Sequence, residues 1–581
     1  MDGSGRVRAM HRLSISLLLL VTACNAAASE HSPAEVEPGE DQVVPATRVA
    51  ANASAYIPSQ CYADTIDADG GVHNPCFACH HDGWRPNFVA DGSVQLAYDL
   101  PDPALTNPWT NLRVDRSAAI AATDTAELLR YVRDSNYREG DALLLADRLA
   151  TPPSAWDPNG DGVWSGYTPD AWFEFDQRGF DRSPDGTATG WRAYAFRPMP
   201  GAFFPTNGGS LGDALIRLPP VFRRNARGTE SLEVYELNLA ILEALITRAD
   251  VVIDPTSERP LGVDLDGDGS LGTATRIRFQ WAPLRGQTMR WVGAAGVAQD
   301  QGEIGLAAGL FPVGTELLHS VRYLDVTQTE QVVMAPRMKE LRYARKRSAL
   351  SYSELDEAAA EDAKQRIDFP DRVRDVIGQL ERGVDNGIGW VYQGFIEDAG
   401  GQLRPQTVEE TMFCVGCHSG VGATDDGIYS FGRKLGAQAP GRGWIHAAAD
   451  HGYRVGDHTR ADGLGEYATY LIHNGAGDDF RANQELLARF FDERGEPQRE
   501  IIDALAQDVT PLLIPSPARA LALDAAYRLV VQEQSFVLGR DAVLAPTPNL
   551  HTELAPAQPT GIEQPEPGPR DRRSRAVSPA L

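Results

Sequence analysis

Cys76-Phe77-Ala78-Cys79-His80 and Cys414-Val415-Gly416-Cys417-His418 repeat one pattern, and their reading decides what the rest of the chain must build around. In Cys-X-X-Cys-His two thiols are spaced to form thioether bonds to the two vinyl groups of one haem. The next residue then supplies an imidazole to the iron as proximal axial ligand. A structural zinc site needs four clustered ligands, and a thioredoxin-like redox pair needs a βαβ setting. Neither run has either context. The expected cofactors are therefore two haem c groups, held by Cys76 and Cys79 with His80 and by Cys414 and Cys417 with His418.

A haem takes the place of part of an apolar core, so the chain is expected to wrap each one in helices and loops. The 55 Gly and 39 Pro suit such wrapping. Outward from the two motifs the sequence divides into six stretches. Residues 1–23 read as a signal peptide and 24–55, rich in Ala, Glu and Pro, as a lipid-anchored flexible tether. Residues 56–150 form a first haem segment, turning helical at Leu128, Leu129, Tyr131, Val132 and again at Leu143–Leu149. Residues 151–340 form a central α+β region. Alternation predicts strands in 276–281 and 318–324, and Ser231 to Thr247 reads as an amphipathic helix. Residues 341–545 form a second, helical haem segment, with helices over 350–383 (capped by Ser353 and Asp356), 482–508 and 516–532. Residues 546–581, Pro-rich and ending in Arg570, Arg572, Arg573 and Arg575, read as a disordered tail. The fold class is α+β.

The N-terminus assigns the compartment. Arg6, Arg8 and Arg12 precede the short apolar run Leu13–Thr22, which is too short to span a bilayer. It ends Leu20-Val21-Thr22-Ala23-Cys24. Small residues before a Cys resemble the lipobox of bacterial lipoproteins, which implies lipidation at Cys24 after cleavage; the other reading is an ordinary signal peptide with a stray cysteine. Asn25 stands where Asp would favour inner-membrane retention, so an outer-membrane anchor facing the periplasm or the cell surface is expected. With Cys24 lipidated and four thiols on haem, Cys61 remains, read as a buried inert thiol. The formal net charge of −26 falls to about −28 once three Arg and one Asp leave with residues 1–23. That excludes nucleic acid and docking on anionic lipid, leaves the N-terminal lipid as the membrane contact, and favours a basic redox partner.

The sixth position on each iron separates electron carrier from enzyme. Distal candidates are His319, in a strand-like apolar segment, and His446, followed by His451, His458 and His473. Met199-Pro200 resembles the Met-Pro segment of small class I cytochromes c. His73 and His81 flank the first motif, His81 too close to His80 to turn back onto the same iron. Separately, Asp264-Leu265-Asp266-Gly267-Asp268-Gly269 and Asp157-Pro158-Asn159-Gly160-Asp161-Gly162 match the opening of a calcium loop. Thr275 and Thr168 stand where the twelfth-position Glu belongs, and an Asx/Gly turn is the alternative. Asp264, Asp266 and Asp268 are the candidate calcium ligands.

The signal region and both pentapeptides resemble dihaem c-type cytochromes of the bacterial lipoprotein type. The resemblance implies covalent haem c and extracytoplasmic electron transfer between the haems and a partner. A narrower relative is the dihaem peroxidase family, which implies an oxidoreductase acting on peroxide or another small substrate; there the two haem domains are neighbours, whereas here a long α+β region intervenes. A third reading is an envelope binding lipoprotein with structural or sensory haems.

Overall fold

Strand-forming alternation is strongest between residues 316 and 346, and a long antiparallel hairpin forms there. In this computed structural model the described residues are 50–568 apart from 68, 82, 84, 85, 87–90, 202–208, 447–454 and 476–482. The signal peptide, Cys24, most of the expected tether, His451 and the terminal Arg cluster lie outside them. The main sheet has nine strands: β1 (Phe180–Arg182), β2 (Ala188–Tyr194), β3 (Ala214–Arg217), β4 (Glu316–Val326), β5 (Val332–Lys346), β6 (Gly378–Gln379), β7 (Gly383–Asp385), β8 (Trp390–Glu397) and β9 (Leu403–Pro405). Their order is β6-β7-β8-β5-β4-β3-β2-β1, with β9 beside β7 along the outer edge of β8. Neighbouring strands are antiparallel throughout.

Because side chains alternate across a strand, the sheet separates two environments. One face carries Leu215, Leu318, Leu341, Tyr343 and Phe395 and packs on Tyr137, Leu145, Leu149, Trp156 and Tyr167. The other carries Tyr194, Ile216, Ala344 and Tyr392 and packs against helix α2 (Leu232–Thr247) and the second motif. Helix α1 (Thr125–Arg133), which covers the predicted 128–132 segment, and helix α5 (Pro517–Glu533) share a further cluster with Tyr323 and Ile396. The fold is α+β, as expected. Residues of the first segment lie on both faces of the sheet, and all described residues belong to one compact unit.

Several local expectations shift for physical reasons. Ser231 caps α2 by accepting the Val234 N–H at 3.3 Å, but twelve of its sixteen residues are buried, so it is a core helix and not an amphipathic one. The helix expected over 350–383 is α3 (Tyr352–Asp368), capped by Ser351 with Glu354 rather than by Ser353 with Asp356. It stops before Pro370, and residues 378–385 join the sheet. The 482–508 helix breaks after Phe490, where Gly495 takes a φ of 82° and Pro497 follows. Thr273–Ile277 pairs with Val251–Ser257 in a ribbon of its own. The expected tail is ordered over 546–568: Leu550, Leu554 and Ile562 are buried. Its backbone bonds to the first segment, as in Tyr98 N–H to Gln558 O (2.9 Å) and His551 N–H to Tyr62 O (2.9 Å).

Candidate cofactor sites

The first motif is a single capped turn. Asn74 accepts the Cys76 N–H at 3.0 Å, Pro75 presets the next residue, and a 3₁₀ turn spans Pro75–Ala78. The turn places Cys76 and Cys79 on one side and closes through His80 N–H to Cys76 O at 2.8 Å. His80 Nδ1 is 2.6 Å from Asp91 Oδ2, a carboxylate that fixes the ring and leaves Nε2 as the ligating nitrogen.

The second motif ends helix α4 (Val408–His418), which opens with a Thr407–Glu410 capping box. Cys414 and Cys417, three apart, share a helix face. His418 Nδ1 donates to Gly427 O at 2.8 Å, so the lone pair is on Nε2. The acceptor is presented by a two-residue turn: Asp425 and Ile428 exchange backbone bonds at 2.9 Å, and Asp426 and Gly427 have φ of 52° and 73°. Asp-Gly is the preferred pair for such a turn. Lys346 anchors Asp426 from the sheet at 2.6 and 2.8 Å, and a Cβ on Gly427 would lie 2.6 Å from His418 O.

Glycines let the two motifs pack on each other. A Cβ on Gly416 would meet Tyr56 O at 1.6 Å, and one on Gly422 would meet His81 O at 1.8 Å. Ala423 N–H donates to Cys79 O at 3.2 Å. Two cavities border this junction, of about 120 and 150 Å³. The first is lined by Cys61, Cys76, Cys79 and His80; the second by Cys414, Cys417, His418 and His319. Cys79, Cys417, Arg342 and Tyr429 line both, so the cavities abut.

None of the described cysteines is in a disulfide, and among the described residues none belongs to a cluster of three metal-ligating side chains. Burial pushes the Cys76 and Cys417 thiols up to about 12 and raises Cys414 as well. Cys61 is driven up by burial and then by Cys76 and Cys417, which locates it between the motifs. Burial lowers His418 to about 4 and His319 to about 3, with Arg342 contributing to both, so each imidazole is neutral at pH 7. Neutral imidazole is the form that ligates a metal. The residues that would hold a haem at the first site are Cys76, Cys79 and His80. At the second they are Cys414, Cys417 and His418, with His319 on the wall of the same cavity.

The other predicted residues fall as follows. Met199 also lines the second cavity, its Sδ 3.6 Å from Cys79 Sγ. His446 stacks at 5.0 Å on Phe175, 3.7 Å from Asp213, and is not among the residues lining either cavity. His73 and His473 pack on each other at 4.8 Å, beside Asp67 and Glu566. In the acidic loop, oxygens of Asp264 and Asp266 gather within 4.8 Å with Glu258, while Asp268 turns to Ser270 at 2.7 and 2.9 Å. Asp264 also accepts the Gly267 and Gly269 N–H groups, an Asx-turn arrangement. Asp157 does the same for Asp161 and Gly162.

Sequence reading missed the polar wall of the first cavity. Glu340 accepts from Arg342 (2.7 Å), Arg540 (3.1 Å) and Gln406 (3.2 Å), and Lys339 pairs with Asp524 at 3.3 Å. Lys339, Glu340, Arg342 and Arg540 all line that cavity. Lys339, Glu340 and Arg342 signal themselves in the sequence only as charges inside a strand, and Arg540 lies in a loop; only the sheet register brings Arg342 opposite His319.

Comparison with known proteins defines the class: a lipoprotein family model matches residues 44–510, and the chain belongs to that family. The chain is similar to a protein of Aquifex aeolicus (strain VF5) named "Uncharacterized lipoprotein". The two are 28% identical over 540 residues, covering 84% of this chain and 86% of that one. No solved structure matches.

Proposed function

We propose that this lipoprotein is an exported dihaem cytochrome c that passes electrons between its two haems and a redox partner at the cell envelope. The observation carrying this reading is that two Cys-X-X-Cys-His runs, far apart in sequence, border abutting cavities with Cys79 and Cys417 common to both walls. Haem c, when bound, supplies a one-electron carrier at each site.

The chain's own residues then perform three tasks. Asp91 and the Gly427 carbonyl orient the proximal imidazoles, Nε2 toward the iron. His319, neutral and on the wall of the second cavity, would supply a second imidazole to a haem iron held there, which would suit electron transfer. The surrounding packing buries Cys76 and Cys414 and leaves Cys79 and Cys417 half-buried on the cavity walls. Cys24 anchors the protein by lipid, with the outer membrane the proposed site, and the acidic surface selects a basic partner. The Asp264, Asp266 and Glu258 carboxylates would hold a calcium ion as a structural clip at the ribbon end.

A second reading, a dihaem oxidoreductase acting on peroxide or another small substrate, is favoured by the first cavity's wall of Lys339, Glu340, Arg342 and Arg540. Absorption and EPR spectra of the purified holoprotein, with and without carbon monoxide, separate the two. Low-spin signals at both irons and no response to carbon monoxide support the carrier. A high-spin iron that binds carbon monoxide transfers the assignment to the oxidoreductase.

A further inference from the structure

Among the described residues, Arg342 is the one Arg or Lys on the walls of both cavities. Its place follows from the sheet. On β5 it stands directly opposite His319 of β4 and opposite Gly394 of β8. Cross-strand partners share a face with Cβ atoms about 4.5–5.5 Å apart, so the guanidinium and the His319 imidazole project from the same side. Gly394 leaves room for Gln406, whose Oε1 lies 2.1 Å from where a Cβ would stand; Gln406 in turn donates to Glu340.

Arg342 is half-buried and paired with Glu340 through Nε at 2.7 Å. Glu340 is buried and shared with Arg540, so the group of three retains one positive charge. That charge stands at the second site: Arg342 is the cross-strand partner of His319 and lines the same cavity as Cys414, Cys417 and His418. A fixed positive charge beside a redox centre favours the reduced, less positive form, and low local dielectric makes the effect large.

We infer that Arg342 is a positioning residue for potential: held by Glu340, it raises the reduction potentials of both haems together. The inference rests on the dihaem reading. It assigns no contact between Arg342 and substrate.

The test is a potentiometric titration of holoprotein variants, with haem content and EPR line shape recorded on the same samples. Arg342→Gln lowers both potentials, each by a tenfold or greater change in the one-electron equilibrium, which is about 59 mV. Arg342→Lys keeps the charge and restores both potentials toward wild type. Glu340→Gln removes the opposing charge and raises both, so the sign reverses even if Arg342→Gln folds poorly. A shift confined to one haem, or no shift in either with the EPR unchanged, overturns the inference. Wild-type protein without covalently attached haem overturns the dihaem reading itself, and is recognised before any variant is titrated.

Discussion

Glu340 gives the most quantitative prediction. Its carboxylate is buried, which opposes ionisation, yet Arg342, Arg540 and Gln406 reverse that and hold it down to about 2 from an ordinary 4.5. A folded pKa below the unfolded one contributes stability that is present above the unfolded value and lost as pH falls through the folded one. At about 1.4 kcal/mol per unit the contribution is about 3 kcal/mol at pH 7. At pH 3 the same linkage leaves about 1 kcal/mol, because the unfolded carboxyl is already protonated and the folded one is not. Glu340→Gln removes the charge while keeping the shape. Denaturant unfolding of wild type and variant at pH 7 and pH 3 should therefore show a destabilisation about 2 kcal/mol smaller at pH 3. Equal destabilisation at both pH values would refute the charge-pairing argument and leave Glu340 as a packing residue.

Three further predictions follow from the same geometry. His319→Ala raises the carbon-monoxide-binding iron by one per chain, read by titrating the reduced holoprotein, whereas Met199→Leu leaves that number unchanged because the Met199 sulfur packs on Cys79. Gly427→Ala puts a Cβ against His418 O at a φ of 73° and costs about 1–3 kcal/mol; thermal unfolding should show the loss together with a shifted second-haem spectrum. Glu397→Ala strands the buried Arg337, 2.6 Å from it, and frees the hydroxyls of Tyr131 and Tyr323. Its expected cost is about 3–5 kcal/mol in unfolding free energy, with haem spectra unaltered.

The chemistry of the site was legible because it is local. Five consecutive residues specify each thiol pair and its imidazole, and the Asp-Gly turn at 426–427 is a local signal as well. His319 was legible as a polar residue inside an apolar alternation, and it lines the cavity of the second motif. His446 has the same residue type without that setting, and it packs on Phe175 instead. What stayed hidden is tertiary. Arg342 meets the cavities only through the β4–β5 register, and Asp91 meets His80 only through the loop that follows the first motif. The 546–568 stretch lacks hydrophobic periodicity, yet pairs its backbone with residues 62–106, a source of order that composition does not display. Helix 350–383 was overextended because its propensity continues past Asp368, while Pro370 and sheet pairing at 378–385 decide otherwise.

The measurement that tests the central claim most directly is the mass of the purified, exported protein under denaturing conditions, paired with its haem absorbance. The account predicts two covalently attached haems per chain, one of them lost in a Cys414→Ala/Cys417→Ala variant and the other in Cys76→Ala/Cys79→Ala. A chain that carries no added haem mass, with the four motif thiols open to alkylation once unfolded, would contradict it.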